Sequence, residues 1–236
     1  MKEEVQQLID VQELDQKILE ARRKKVELLT RKEKLLAQTE KFESAIATMQ
    51  EQIDAVQQDV SGLNQDLAKE QDNVTRAEDR LPEVKTQKEY LAILKEVDAA
   101  KKNTKDTEEA LKLKQQVLDE LEADQNDKQT ELNEFKNTNK GELRDIATLV
   151  TELEGVEAAE TPKRDKLIRQ VSEALRNHYE LVLSRLNSIA LVEAQNYTCC
   201  GCHMRLPPQF FNNMLKSKNI STCPQCNRLL YIAEDQ

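Results

Sequence analysis

From Val11 to Leu81 a mostly apolar register of alternating three- and four-residue steps runs without interruption, broken in character only by Lys25, Lys32, Thr39 and Glu70. In one heptad register the a positions are Val11, Ile18, Lys25, Lys32, Thr39, Ile46, Ile53, Val60, Leu67, Val74 and Leu81. The d positions are Leu14, Ala21, Leu28, Leu35, Phe42, Met49, Val56, Leu63, Glu70 and Ala77. Seventeen of these 21 are apolar, so the repeat is far from chance. A hydrophobic period held at 3.5 residues implies a long helix wound left-handedly against a partner. Leu81-Pro82 ends it, because a residue before proline is pushed out of the α region. Thr86-Gln87-Lys88-Glu89 then reads as a capping box that opens a second helix. A short break between long periodic segments favours an antiparallel hairpin, with its tip at 82–86, over one kinked rod.

The second helix has a sparser seam: Tyr90, Leu94, Val97, Lys101, Leu111, Leu118, Leu121, Leu132, Phe135, Ile146, Leu149 and Leu153. Folding about Lys85–Thr86 sets residues opposite one another when their numbers add to roughly 171. Lys101 then faces Glu70 as a seam ion pair that fixes register. Asn139-Lys140-Gly141 falls opposite Lys32 and Leu28, where a kink or loosened packing is expected. A second break is expected from Gly155 to Pro162, with Thr161 as N-cap and Pro162 as the first residue of a third helix. That helix carries Leu167, Ile168, Val171, Leu175, Tyr179, Val182 and Leu186 on one side, to pack against the base of the hairpin.

Composition agrees with thin helical packing. Charged residues make up 33% and apolar residues 38%, with no Trp, which is too little to fill a deep core. The sustained heptads argue against disorder, the other reading of so charged a chain. Met1-Lys2-Glu3-Glu4 lacks the apolar stretch of a signal peptide, and no apolar run reaches the roughly 20 residues that cross a bilayer. A cytoplasmic location is therefore expected. The net charge of −9 divides into −10 for residues 1–186 and +1 for residues 187–236, so neither part has the basic footprint of a nucleic-acid binder.

After Asn187-Ser188 the texture changes, and two domains are expected: a helical hairpin with a return helix at 1–186 and a small module at 187–236. All five cysteines lie in the latter. Cys199-x₂-Cys202 and Cys223-x₂-Cys226 stand 20 residues apart, the spacing of a zinc ribbon. Two such turns close a tetrahedral Cys₄ shell with no open position for water, so one structural Zn²⁺ is expected. Cys200 is a spare thiol that could replace Cys199 only with a tighter C-x-C spacing, and His203 reads as a surface residue beside the knuckle. Ile189–Glu193 and Leu229–Ile232 read as strands, with Leu206, Phe210, Phe211 and Tyr231 as the module's own core. The fold class is thus mainly α: a long antiparallel coiled-coil hairpin followed by a small β zinc ribbon.

The segments Cys-Cys-Gly-Cys-His-Met-Arg-Leu-Pro-Pro-Gln (199–209) and Cys-Pro-Gln-Cys-Asn-Arg-Leu-Leu-Tyr (223–231), with Val84-Lys85-Thr86-x-Lys88-Glu89-Tyr90, resemble the bacterial C4-type zinc-ribbon proteins with an N-terminal coiled coil. Cys200 and Asn227 depart from that pattern, which favours glycine there; Asn tolerates a left-handed backbone. The resemblance implies a kinked hairpin and a ribbon, and a chaperone or adaptor role linked to σ54 or to flagellar or type III secretion components. It also implies nucleic-acid binding for some members.

Catalysis is not expected. His178 and His203 lie in different domains, there is no glycine-rich phosphate loop, and the carboxylates read as solvated helix faces. The leading expectation is an interaction protein. Val84, Lys85, Thr86, Lys88, Glu89 and Tyr90 at the tip form the candidate partner site, weighed against simple capping and closure of the hairpin. Nucleic-acid binding is the alternative, through a local basic face of Arg205, Lys216, Lys218 and Arg228 beside His203. A hairpin that probes an RNA polymerase channel is a third reading, for which the arm is too long.

Overall fold

The computed structural model describes residues 2–186, 189–217 and 219–233. Two long helices, α1 (Lys2–Arg80) and α2 (Gln87–Ile168), are followed by α3 (Glu173–Leu186). The small C-terminal module has strands β1 (Leu191–Gln195), β2 (Thr198–Cys199), β3 (Ser221–Thr222) and β4 (Leu229–Tyr231), with α4 (Pro208–Ser217) between β2 and β3. The chain divides into two compact units, Met1–Glu33 with Glu142–Gln236, and Lys34–Gly141.

The heptads of α1 hold throughout. Each of the 21 a and d positions is buried or half-buried, and between Lys34 and Arg80 no other position is. On α2 the covered positions keep the same alternation from Ile93 to Ile146, but seven of them are polar: Thr104, Thr107, Lys114, Gln125, Lys128, Asn139 and Glu142. Long polar side chains cover the seam with their aliphatic stems and send their heads to the rim. Thus Lys114 pairs with Asp59 at 2.7 Å and Gln125 with Gln50 at 2.8 Å. Tyr90, Lys101 and Leu149, expected in this seam, are exposed. Leu149 is displaced because the seam steps by four, from Ile146 to Val150, where the heptad asks for three.

The pairing register also differs from the expected one. In the 34–141 unit, Lys136 meets Glu43, Lys101 meets Glu78, and the rings of Phe42 and Phe135 lie 5.7 Å apart. In the other unit, Lys25 meets Glu154 and Arg31 meets Glu142. Partner numbers therefore add to 173–179, not 171. Lys101 faces Glu78 rather than Glu70, and both are about half exposed, so the pair is a rim contact of small energy. The cause is the asymmetric turn. After α1 the chain tightens into a 3₁₀ turn (Leu81–Glu83) and an extended Val84, which moves the fold axis into the first turn of α2. At Asn139–Gly141 the helix runs on unbroken; Asn139 donates to the Phe135 carbonyl, and open space surrounds Gly141.

The break expected at Gly155–Pro162 is absent. Pro162 lies inside α2, and the Thr161 hydroxyl donates to the Glu157 carbonyl at 2.7 Å instead of capping a new helix. Proline removes one hydrogen bond of a helix interior, but the preceding Ala158-Ala159-Glu160 are strong helix formers and the helix carries across. The chain turns instead at Arg169–Ser172. Gln170 and Val171 make tight bonds to Leu167 and Ile168, and the Ser172 carbonyl accepts the first bond of α3 from Arg176.

As expected, the return helix packs on the hairpin base. Leu8, Val11, Ile168, Val171, Tyr179 and Val182 are buried together with Ala190, Leu191 and Leu229 of the C-terminal module. Leu186 is exposed. Among the described residues Asp15 is the buried charge, 7% exposed. Arg164 donates to it at 3.0 Å and the Tyr179 hydroxyl at 2.9 Å, so α1, α2 and α3 share one polar contact. Burial and the Asp15 carboxylate both push the Tyr179 hydroxyl far above its ordinary range, which keeps it a neutral donor.

Candidate metal centre

The C-terminal module is a four-stranded sheet in the order β2-β1-β4-β3, with β1 parallel to β4 and the other pairs antiparallel. One face packs with Val192, Ala194, Leu206, Phe211, Met214 and Leu230 around two of the cysteines. Phe210 is half-buried against this cluster, whereas Tyr231 leans on the core of the hairpin base. Helix α4, not expected from the sequence, buries Phe211 and Met214.

Both knuckles are built alike. After the second cysteine of each pair comes a residue with positive φ: His203 at 58° and Asn227 at 60°. Its amide returns to the carbonyl of the first cysteine, His203 to Cys199 at 2.8 Å and Asn227 to Cys223 at 3.0 Å. The first cysteine's amide then donates to the next residue on, Cys199 to Met204 and Cys223 to Arg228. The left-handed step thus lies after each pair, which places Asn227 where Asn is tolerated. Cys200 is not left-handed.

The sulfurs of Cys199, Cys202, Cys223 and Cys226 all lie within 4.8 Å of one another. Cys199 to Cys226 and Cys202 to Cys223 are each 3.9 Å apart. A tetrahedron with Zn–S near 2.3 Å has edges of about 3.8 Å, so the four thiols fit one zinc ion. Cys200 is exposed and outside the cluster, and His203 is exposed at its edge. Burial pushes the Cys199 thiol up to about 12, against the pull of the Cys202 and Gly201 amides. Burial opposes ionisation at Cys226 too, but the Arg228 amide and the Cys223 and Cys202 thiols bring it down to about 7. A bound divalent cation favours the thiolate form of the cysteines that hold it.

The alternative basic face is divided. Arg228 donates to the carbonyls of Ile189 at 2.8 Å and Gly201 at 2.9 Å. A Cβ at Gly201 would stand 2.7 Å from Cδ of Arg228, so this approach needs glycine. Arg205 and Lys216 are exposed, and Lys218 lies outside the described residues. Nothing in the sequence singles out Arg228 as a strap rather than a surface charge.

At the tip the six candidate residues separate by role. Val84 packs on Ala77, Ile93 and Val97. Thr86 caps α2: its hydroxyl meets the Glu89 carboxylate at 2.7 Å and faces the Glu89 amide at 3.4 Å. Lys85, Lys88 and Tyr90 are exposed, and so is the neighbouring Leu91.

Residues 198–230 match the family model of the C4-type zinc ribbon domain. Among solved structures the whole chain is similar to CT398 from Chlamydia trachomatis, at 22% identity and a TM-score of 0.94, over 99% of each chain. It is also similar to a Mycobacterium smegmatis protein, at 17% identity and a TM-score of 0.75, over 98% of this chain and 97% of that one. The HP0958 protein from Helicobacter pylori shares 23% identity and a TM-score of 0.58 over 97% of each. No curated protein matches the chain. The fold, a helical hairpin followed by a zinc ribbon, is therefore one found in several bacteria, and the chain binds zinc through Cys199, Cys202, Cys223 and Cys226.

Proposed function

We propose that this zinc-binding chain is a non-catalytic adaptor or chaperone-like protein that holds a protein partner at the hairpin tip, with the rigid ribbon as a second contact surface. The observation that carries this reading is the division of labour at the tip. Of the six candidates, Val84, Thr86 and Glu89 help to close and cap the hairpin, while Lys85, Lys88 and Tyr90, with the neighbouring Leu91, stay exposed. Tyr90 and Leu91, 46% and 55% exposed, leave about half of each residue open to solvent at the tip. An exposed aromatic is the type of group that anchors protein interfaces.

The resemblance of the tip and knuckle motifs makes σ54 and flagellar or secretion components the first partners to test, in the cytoplasm. Each purified candidate is titrated against the wild-type chain and against a Lys85→Ala, Lys88→Ala, Tyr90→Ala triple variant. The variant is expected to bind at least tenfold more weakly at an unchanged melting temperature. Equal binding by the variant to a partner that the wild type captures sinks the tip reading. Less supports the nucleic-acid alternative, because Arg228, one of its four cations, is spent on backbone carbonyls. Steeply salt-dependent RNA or DNA binding at physiological salt would restore it.

A further inference from the structure

We propose that zinc occupancy governs closure of the hairpin base: the second cysteine knuckle is a latch on α1 and α3, and releasing the metal loosens helical residues well outside the ribbon. The run Cys226–Leu229 carries both the metal ligand and the attachments. The Asn227 carbonyl lies 3.0 Å from Nε2 of His178 on α3. The Arg228 side chain ties Gly201 of the first knuckle to Ile189, at the entry to β1. Leu229 is buried among Leu8, Val11, Tyr179 and Val182 of the hairpin base, and its amide donates to the Ala190 carbonyl at 2.8 Å.

β1 is clamped in turn by Gln12 of α1. The Gln12 carbonyl oxygen accepts from the amides of Ala190 at 2.9 Å and Leu191 at 2.7 Å, and its amide donates to the Leu191 carbonyl at 2.8 Å. One helix side chain thus acts as a backbone partner for the strand that pairs with β4. The ribbon cannot hold this arrangement unaided. Two of the eight buried residues in its own core are the ligands Cys199 and Cys223, and domains with so small a core usually need a metal or a covalent staple to fold. When the knuckle opens, the wall formed by Ala190, Leu191 and Leu229 leaves Leu8, Val11 and Tyr179 facing water. Linkage makes the effect mutual: contacts on α1 and α3 must strengthen zinc binding by the same factor with which zinc strengthens them.

Two measurements on the full chain test this. Amide hydrogen exchange is followed in zinc-loaded protein, after removal of zinc with a chelator, and after zinc is restored. Residues 8–18 and 175–183 are expected to exchange at least tenfold faster without zinc and to recover with it, while residues 50–70 and 105–125 do not change. Acceleration confined to 189–233 overturns the latch. Zinc affinity is then measured by chelator competition for Gln12→Ala and His178→Ala, neither of which touches a sulfur. Affinity about fivefold weaker or more is expected for each; affinities within twofold of wild type for both overturn the coupling.

Discussion

At the tip, Ala77, Ile93 and Val97 are the buried side chains that close the hairpin, with Leu81 and Val84 leaning on them. At the base nine buried residues come together from two long helices, a return helix and two strands, around a shared carboxylate. The tip is held by local contacts, so its outer residues can change without loosening anything. The base is held by segments far apart in sequence, so each of its residues serves several elements. The tip is where recognition can be placed cheaply, and the base is where stability resides.

The largest expected effect is at the metal. Cys226→Ser removes a ligand whose shell, complete, contributes on the order of 10 kcal/mol to folding. Metal analysis should find zinc lost, and circular dichroism should show the base melting well before the 34–141 unit. A single unshifted melt would contradict this. Arg164→Met comes next, because it leaves the buried Asp15 carboxylate without its cation; about 3 kcal/mol should be lost in chemical denaturation. Tyr179→Phe removes only the hydroxyl donated to Asp15 and should cost about 2 kcal/mol. At the tip, Thr86→Ala should cost about 1 kcal/mol, the usual worth of an N-cap. Smallest is Lys85→Ala with Lys88→Ala, expected to stay within about 0.5 kcal/mol of wild type. If the tip changes proved as costly as those at the base, the contrast would collapse.

The same contrast explains what could be read from the amino acids. The seam of α1 was legible because nearly all its positions are apolar, and the zinc ligands because two C-x-x-C pairs admit few other meanings. The cap at Thr86 was legible because its partner lies three residues away. The seam of α2 was harder. Lys114, Gln125 and Asn139 occupy it without looking like core residues, and the pairing register depends on a turn whose 3₁₀ geometry no short motif announces. Pro162 misled because local preference gave way to a helix already long. Gln12 and Asp15 carried no signal at all. They lie off the heptad seam, on a side of α1 that becomes interior only once α3 and the ribbon arrive. Polar residues with distant partners are invisible to any local pattern, and at the base they are the ones that bind the elements together.

The antiparallel turn also imposes an order in time. Near the tip, residues that meet are separated by only about twenty positions, as with Ala77 and Val97, and they can find one another as soon as both have been made. Leu8 and Val11 have no such near partner. They wait for Leu229, synthesised some 220 residues later, before their core is complete. A nascent chain therefore zips from the turn outward while its earliest helical segment keeps an apolar face uncovered. For that interval the growing protein is itself a client, in need of shelter from the aggregation that such faces invite.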